Sequence, residues 1–365
     1  MNDYWVYVGT FTRSASGQHR NEGIYLYRLN SSTGAMTFVA AESAGPDPAF
    51  LALDPHRRFL YTVNEVVEFE GQPGGAVSAF SVDPHRGRLT ALNHQLTYGA
   101  GPCYLCLDPT ARWALVSNYH GGSVTVLPIR EGGSLGEATQ FIQQHGSGPN
   151  LERQESAHAH SIQLDPTGRL ALVADLGLDK IMLYRFDAAQ GTLTPHDPPF
   201  IPFHPGAGPR HFDFHPNGRF LYVANELDST VTALAYDALH DTFRELQTLS
   251  SLPGDFVGEN TGADIHIAPS GKFLYASNRG HDSIAMYAVD DDTGTLSPTG
   301  HVSTQGAVPR NFAITPAGDL ILAANQRSDN LVAFRVDGAT GQLAPLGPVA
   351  SIPAPVCVKI VELRQ

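Results

Sequence analysis

A histidine, a glutamate and three arginines stand out in this sequence because they occupy positions that vary within an otherwise regular repeat. They are His160, Arg210, Glu226, Arg279 and Arg310. Arginines bind carboxylates and phosphates through paired donors, and they also stabilise a developing oxyanion. A histidine and a glutamate nearby supply acid or base function. The set predicts a site that holds an anionic substrate and transfers protons.

The repeat that positions these residues is a short phrase that occurs six times, for example as FHPNGRFLYVAN and IAPSGKFLYASN. Each copy has a proline and, nine residues later, an asparagine or aspartate. The prolines are Pro55, Pro109, Pro166, Pro216, Pro269 and Pro316, and the later residues are Asn64, Asn118, Asp175, Asn225, Asn278 and Asn325. A period of about 50 residues is too long for helical solenoids and is typical of a four-stranded propeller blade.

Each repeat reads as four strands, which we name a to d. Two apolar runs flank the proline and a polar turn, which is the pattern of a β-hairpin, and two further runs follow. The N-terminus lacks strand a, whereas the C-terminal PVCVKIVEL is a strand a with nothing after it. We predict one all-β domain over 1–365, a seven-bladed β-propeller of four-stranded antiparallel blades. Its seventh blade joins about 356–363 to about 4–41, which removes exposed sheet edges.

Two positions per repeat lie at the same end of each predicted blade, namely the start of strand a and the end of strand b. At the start of strand a the copies read Ala49, Cys103, His160, Arg210, Ala263 and Arg310. At the end of strand b they read Glu65, Tyr119, Leu176, Glu226, Arg279 and Gln326. The repeated Asn or Asp is expected to cap a turn. The two irregular rings instead predict a functional site, with salt bridges at the rim as the alternative.

Several nearby residues are further candidates for substrate binding. His158 forms an HAH pair with His160, which on a strand places both side chains on one face. Arg153 lies in the polar segment 146–157, a candidate wall or lid, with a solvated loop as the alternative. Asp264 lies on a predicted innermost strand, where a structural hydrogen bond is the competing explanation. The predicted substrate-binding residues are therefore His158, Arg310, Arg153 and Asp264.

No metal or cofactor is expected. The HAH pair has no evident third ligand for a metal. Cys103 and Cys106 form a CxxC, but residues i and i+3 of a strand point to opposite faces, so we predict buried apolar thiols rather than a redox or zinc site.

Composition narrows the classes of partner and compartment. The formal net charge of −13 argues against nucleic acid or an anionic membrane as a partner. No apolar run is long enough to span a membrane, and the N-terminus does not resemble a signal peptide. Three cysteines are typical of a reducing compartment. We expect a cytoplasmic protein that is a monomer or weak dimer.

The segments YVGTFT, ERQESAHAHSI, GAGPRHFDFHP, YVANELDSTV, ENTGADIHIAP and LYASNRGHDSI resemble the propeller lactonase family. That family includes bacterial propeller-type 6-phosphogluconolactonases and the fungal carboxy-cis,cis-muconate cyclase. The resemblance covers the full length, and it implies that His160, Arg210, Arg279 and Glu226 are the catalytic residues. It also implies hydrolysis of a small anionic lactone, with 6-phosphogluconolactone as the first candidate in carbohydrate metabolism and the pentose phosphate pathway.

Three alternatives stay open. One is a cycloisomerase that forms a lactone from an unsaturated dicarboxylate with the same arginines. Another is a metal-dependent sugar lactonase with calcium at the channel. The third is a non-enzymatic binding propeller, although the WD dipeptide of the common scaffold repeat is absent.

Overall fold

The computed structural model describes residues 3–13 and 21–363, and the rest of the predicted 1–365 domain (1–2, 14–20 and 364–365) lies outside the described residues. The described residues form thirty β-strands and contain no helix, hence none that could cross a membrane. Contacts divide the chain into two compact units. The 40–208 unit is Ala40–Gly208 with Gly9–Leu26, and the 209–363 unit is Pro209–Leu363 with Met1–Val8 and Tyr27–Val39. A single domain over the whole chain stays a prediction.

The repeated proline phrase forms the hairpin between the first two strands of each sheet. In the HPNG copy, Gly218 has φ of 70° and its N–H donates to the carbonyl of His215 at 2.8 Å. Glycine adopts this left-handed conformation without the steric cost of a Cβ. In the copies without glycine, Arg57 and Ala111 take φ values of 54° and 53° at the same place. The polar turn read from the sequence is therefore one turn geometry used repeatedly.

The 40–208 unit contains three complete four-stranded sheets, each with its strands in chain order. The first sheet has β4 (Pro48–Leu53), β5 (Phe59–Asn64), β8 (Ala76–Val82) and β9 (Leu89–Leu96). The second has β10 (Pro102–Leu107), β11 (Trp113–Asn118), β12 (Ser123–Pro128) and β13 (Gln140–Gln143). The third has β14 (Ala159–Leu164), β15 (Leu170–Asp175), β16 (Lys180–Asp187) and β17 (Thr192–Pro202). Between β5 and β8 the chain adds a small hairpin that the repeat did not predict, β6 (Glu68–Phe69) and β7 (Gln72–Pro73).

The 209–363 unit also contains three complete four-stranded sheets in chain order. The first has β18 (Pro209–Phe214), β19 (Phe220–Asn225), β20 (Thr230–Asp237) and β21 (Thr242–Ser250). The second has β22 (Thr261–Ile267), β23 (Phe273–Arg279), β24 (Ser283–Val289) and β25 (Leu296–Ser303). The third has β26 (Pro309–Ile314), β27 (Leu320–Asn325), β28 (Asn330–Val336) and β29 (Leu343–Ser351).

The seventh sheet joins the two ends of the chain. Its order is β3–β2–β1–β30, with β1 (Tyr4–Thr10), β2 (Gly23–Leu29), β3 (Met36–Ser43) and β30 (Pro355–Glu362). The C-terminal strand therefore supplies the strand a that the N-terminus lacks. Seven four-stranded sheets, with the last one split between the termini, confirm the predicted seven-blade pattern.

Apolar faces of neighbouring sheets pack on each other within each unit. In the 209–363 unit, Tyr222 of one sheet shares a buried cluster with Ile265 and Tyr287 of the next. The repeated asparagines are fully buried, and their Nδ2 groups donate to carbonyls of the loop before strand a or to hydroxyls of strand c. For example, the Nδ2 of Asn64 donates to the carbonyls of Ala44 and Pro46, both at 2.8 Å.

Candidate active site

The residues of the first irregular ring are bulge residues in every complete sheet. In β18, Pro209 pairs with Asn225 and His211 with Ala224, so Arg210 is the extra residue between them. The same irregularity falls at His160, Arg310, Cys103 and Ala49, and at the pair Ala263 and Asp264. A β-bulge leaves one residue outside the ladder and redirects its side chain. Each of these six sheets therefore has an irregularity at this place, of two residues in β22 and of one residue in the other five, and the side chain differs from sheet to sheet.

Arg210, Glu226 and Arg279 form a direct cluster in the 209–363 unit. The Oε2 atom of Glu226 accepts a hydrogen bond from Nε of Arg210 at 2.9 Å and lies 2.8 Å from Nη2 of Arg279. Arg210 is 1% exposed and Glu226 3%, whereas the side chain of Arg279 is 13% exposed. Charge-assisted hydrogen bonds of this kind are short and strong in a buried setting. One carboxylate oxygen thus holds two arginines at fixed positions.

The backbone of β22 completes the support of both arginines. Nη1 of Arg210 donates to the carbonyl of Ala263 at 2.6 Å, and Nη2 of Arg279 donates to the carbonyl of Gly262 at 2.8 Å. The N–H of Gly262 donates in turn to the carbonyl of Glu226 at 3.0 Å. A Cβ on Gly262 would lie 2.6 Å from the carbonyl oxygen of Asn225. A residue without a side chain is therefore required where β22 meets the end of β19.

The cluster carries an excess of positive charge. Burial and the neighbouring charges of Arg279 and Arg310 together lower the pKa of Arg210 to about 9, against the opposing effects of Glu226 and Asp264. At this pKa the guanidinium stays charged at neutral pH. Arg210, Arg279 and Arg310 outnumber the carboxylates of Glu226 and Asp264, which leaves a local surplus of cations in a chain whose net charge is −13. Such a surplus attracts an anionic ligand.

Asp264 lies beside this cluster, but its carboxylate is bound by protein groups. Oδ1 accepts from Nδ1 of His211 at 2.7 Å, and Oδ2 accepts from Nε2 of His266 at 3.0 Å. The side chain of Asp264 is 3% exposed. These contacts are the structural hydrogen bonds that the sequence offered as the competing explanation. The predicted contact of Asp264 with substrate stays a prediction.

His158, His160 and Arg153 are grouped around Tyr119 in the 40–208 unit. The ring of His158 stacks on Tyr119 with centroids 4.7 Å apart, and His160 meets it edge-on at 5.2 Å. Nη2 of Arg153 lies 3.3 Å from the Tyr119 hydroxyl. The HAH pair thus contacts one shared ring, although His158 precedes β14 and His160 is its bulge residue. Tyr119 was not selected from the sequence, although it stands in the second irregular ring next to Asn118.

Asp175 fixes the backbone of the HAH segment. Its Oδ1 accepts from the N–H of His158 at 2.8 Å and from the N–H of Leu178 at 3.1 Å. Burial raises the pKa of Asp175 to about 6. The other five copies of the repeat carry asparagine at this position. The single aspartate therefore stands where the chain positions its histidine pair.

The three cysteines are free thiols; Cys103 and Cys357 are buried, as predicted for Cys103, whereas Cys106 is only partly buried. Cys103, the bulge residue of β10, lies with its Sγ 3.1 Å from the carbonyl oxygen of His160, and burial raises the pKa of Cys106 to about 12. Within 3–13 and 21–363, no three His, Cys, Asp or Glu side chains converge as a metal site would require. The expectation of no metal and no cofactor stays a prediction.

A cavity of about 260 Å³ in the 209–363 unit lies apart from the arginine cluster. His266, Phe312, Thr315 and Lys359 are among its lining residues, and none of Arg210, Glu226 or Arg279 is. It is therefore not the candidate substrate site.

Comparisons with known proteins agree with the fold over nearly the whole chain. The family described as "Lactonase, 7-bladed beta-propeller" matches residues 5–360. A 6-phosphogluconolactonase of Bacillus subtilis is 38% identical over 98% of this chain and 99% of its own length. One of Formosa agariphila is 35% identical over 85% of this chain and 86% of its own. The structure of the periplasmic gluconolactonase of Pseudomonas aeruginosa matches with a TM-score of 0.91 and 33% identity, covering 99% of this chain and all of that one.

Propellers with many different functions share this architecture. Sequence identity above 30% over the full length, together with seven four-stranded sheets, identifies one family among them. The chain belongs to the lactonase family of seven-bladed β-propellers.

Proposed function

We propose that this protein is a lactone hydrolase that opens the ring of 6-phosphogluconolactone. The observation that carries the proposal is the pair of arginines held on one carboxylate oxygen of Glu226 in a cationic, mostly buried cluster. The family and the names of its relatives supply the reaction class, since the Bacillus subtilis protein is a 6-phosphogluconolactonase. The substrate is a small lactone, and its phosphate is the anionic group that the cluster suits.

Hydrolysis of the lactone requires stabilisation of negative charge and transfer of protons. Water adds to the ester carbonyl, which places negative charge on the carbonyl oxygen, and the ring C–O bond then breaks. The departing ring oxygen takes a proton and becomes a hydroxyl, so the product is a hydroxy acid. Arginine donors stabilise the oxyanion or hold the phosphate, and a proton-transfer group serves the water and the leaving oxygen.

The contacts suggest how these roles divide. Oε2 of Glu226 is occupied by two guanidinium groups, so we assign Glu226 to orienting Arg210 and Arg279. Arg279 is the more exposed of the two arginines and is assigned to the substrate. We propose His160, the other acid or base candidate of the sequence, as the proton-transfer group.

A substrate panel tests the proposal. The wild-type protein, Arg279→Ala and the control Arg28→Ala would be assayed with 6-phosphogluconolactone, its unphosphorylated analogue and a muconate, with spontaneous opening subtracted. Arg28 is a suitable control because its side chain is 58% exposed and forms a surface ion pair with Asp3. We expect hydrolysis of the phosphorylated lactone, a drop of about 100-fold in Arg279→Ala and no change in Arg28→Ala.

Other outcomes of the panel would redirect the proposal. Turnover of the muconate alone would favour the cycloisomerase, and loss of activity with a chelator would favour a metal-dependent lactonase. If the protein hydrolyses none of the lactones, the result would favour the non-enzymatic binding propeller.

The cytoplasm is the compartment we propose, because all three cysteines are free thiols. The relative from Pseudomonas aeruginosa is named as periplasmic, so cell fractionation is the direct test. We also propose that the protein is a monomer or weak dimer, which light scattering in solution would check. We propose no nucleic-acid or membrane partner.

A further inference from the structure

One buried carboxylate ties together strands from three neighbouring sheets of the 209–363 unit. Asp264 on β22 accepts at Oδ1 from His211 on β18. At Oδ2 it accepts from Nδ2 of Asn311 on β26, and from the N–H of Phe312 at 3.2 Å. Asp264 is 2% exposed. The carboxylate therefore links the innermost strands of consecutive sheets at a single point.

The groups that Asp264 binds are the sequence neighbours of the arginines. Arg210 immediately precedes His211, and Arg310 immediately precedes Asn311. Both arginines are bulge residues, so the β-ladder does not fix where their side chains start. The tie to Asp264 supplies that constraint one residue away from each arginine.

The charges around Asp264 keep it in the form that can accept these bonds. His266 lies 3.0 Å from Oδ2 of Asp264 through Nε2 and 3.6 Å from Asp213 through Nδ1. The two carboxylates raise the pKa of His266, although burial opposes them. The positive charge of His266 and the hydrogen bonds of both histidines hold the pKa of Asp264 well below its ordinary range despite burial. An ionised carboxylate has acceptor sites for all four donors.

The network continues beyond β26. Oδ1 of Asn311 accepts from the N–H of Val358 on β30 at 2.7 Å. Asn311 therefore receives a bond on one side and donates on the other, which fixes the segment that begins with Arg310.

We propose that Asp264 is a positioning residue of the lactonase reaction. It holds the bulges of β18 and β26, so that Arg210 stays paired with Glu226, which orients Arg279 for the substrate, and Arg310 keeps its place for binding the anionic group. The inference rests on the proposed function and assigns Asp264 a role that acts through the two arginines rather than through contact with substrate.

Kinetics of Asp264→Asn against a matched buried aspartate test this role. Asp108→Asn is the control, because Asp108 is 1% exposed and accepts from the N–H groups of Arg112 and Trp113 in the β10–β11 turn, both at 2.7 Å. We expect Asp264→Asn to raise KM for the phosphorylated lactone at least tenfold with a smaller change in kcat, because binding of the anion is what it disturbs. Asp108→Asn is expected to lower the melting temperature while KM and kcat stay within twofold. Equal kinetics in both variants would overturn the inference.

A double-mutant cycle separates positioning from general damage. Asn311→Ala is measured in the wild type and in Arg310→Ala. If Asn311 acts through Arg310, its effect on KM, expected to be threefold or more, disappears when Arg310 is already gone. Effects that simply multiply would contradict the proposal.

Hydrogen exchange gives a readout that does not depend on turnover. In Asp264→Asn, peptides covering 209–214 and 309–314 are expected to exchange faster than in the wild type, and Asp108→Asn should leave both unchanged. Unchanged exchange in Asp264→Asn overturns the inference whatever the activity. A wild-type protein that opens no lactone overturns the proposed function but leaves the exchange result standing. If Asp264→Asn does not fold, Asn311→Ala serves the same measurement at 309–314.

Discussion

Replacing Glu226 with glutamine tests the central feature of the candidate site, because it removes the charge that two arginines share while it keeps the size of the side chain. Arg210, at 1% exposed, would lose its carboxylate partner and stay buried as an uncompensated cation. Breaking a buried ion pair in this way costs about 3 to 5 kcal/mol. The lower value is appropriate here because Arg279 is 13% exposed and regains contact with water.

The stability loss converts into a measurable shift. Unfolding entropies of about 2.1 cal/mol/K per residue give roughly 0.8 kcal/mol/K for a chain of 365 residues. A loss of about 3 kcal/mol therefore lowers the melting temperature by about 4 °C. Because the arginines also lose their fixed positions, kcat/KM for the phosphorylated lactone is expected to fall about 100-fold.

Calorimetry and a lactone assay would measure both effects, with Glu245→Gln as the exposed control. The double variant Arg210→Met/Glu226→Gln adds a diagnostic result. It should recover much of the lost stability, since no buried charge is left unpaired, but it should not recover activity. If Glu226→Gln has the same melting temperature and kcat/KM as the Glu245→Gln control, the assignment of Glu226 as the residue that holds the arginines is refuted.

Two further predictions concern the residues around the site. Asp175→Asn should be more stable than the wild type above pH 6 by up to about 3 kcal/mol, because a folded-state pKa of about 6 against 3.8 makes the ionised form unfavourable in the folded protein. The contribution of Asp175 to the free energy of unfolding of the wild type therefore falls as pH rises from about 4 to about 6. Chemical unfolding at pH 4.5 and 7.5 should show this fall in the wild type and not in the variant. Identical pH profiles of the two proteins would contradict the reasoning. Gly262→Ala should lower both stability and kcat/KM, because the new Cβ meets the carbonyl oxygen of Asn225 at 2.6 Å and pushes against the backbone that carries Glu226. Gly254→Ala, with nothing within 4 Å of its Cβ, is the control in thermal melts and activity assays, and matching behaviour of the two variants would refute the argument.

The sequence predicted the architecture well because every blade of a propeller is built from the same four-stranded unit. A proline, a turn and an asparagine recur at fixed offsets, and each repeat must form the same hairpin to bury its apolar faces. Counting strands at the two termini was enough to predict the split seventh sheet, and the structure confirms it. The hairpin of β6 and β7 was missed because it occurs once and has no counterpart in the other repeats.

The candidate site was predicted in part. Alignment on the prolines singled out Arg210, Glu226 and Arg279, and the structure brings these three together. It did not reveal that His211 and Tyr119 contact the candidate residues. His211 lies outside both irregular rings, and Tyr119, although it is in the second ring, carries no charge and was not selected. A buried histidine next to a ring residue is the signal that would have found His211.

What the sequence determined by itself was the number of four-stranded sheets, the order of the strands within them and which positions of each blade vary, because these depend on local turns and on the spacing of apolar residues. Only the tertiary structure decided which charges pair. Glu226 and Arg279 are separated by a whole blade in the chain, and Arg210 takes its direction from a bulge that leaves no trace in hydrophobic periodicity. The partners of a buried charge are set by which strands pack side by side, and that packing decides that one carboxylate oxygen holds two arginines.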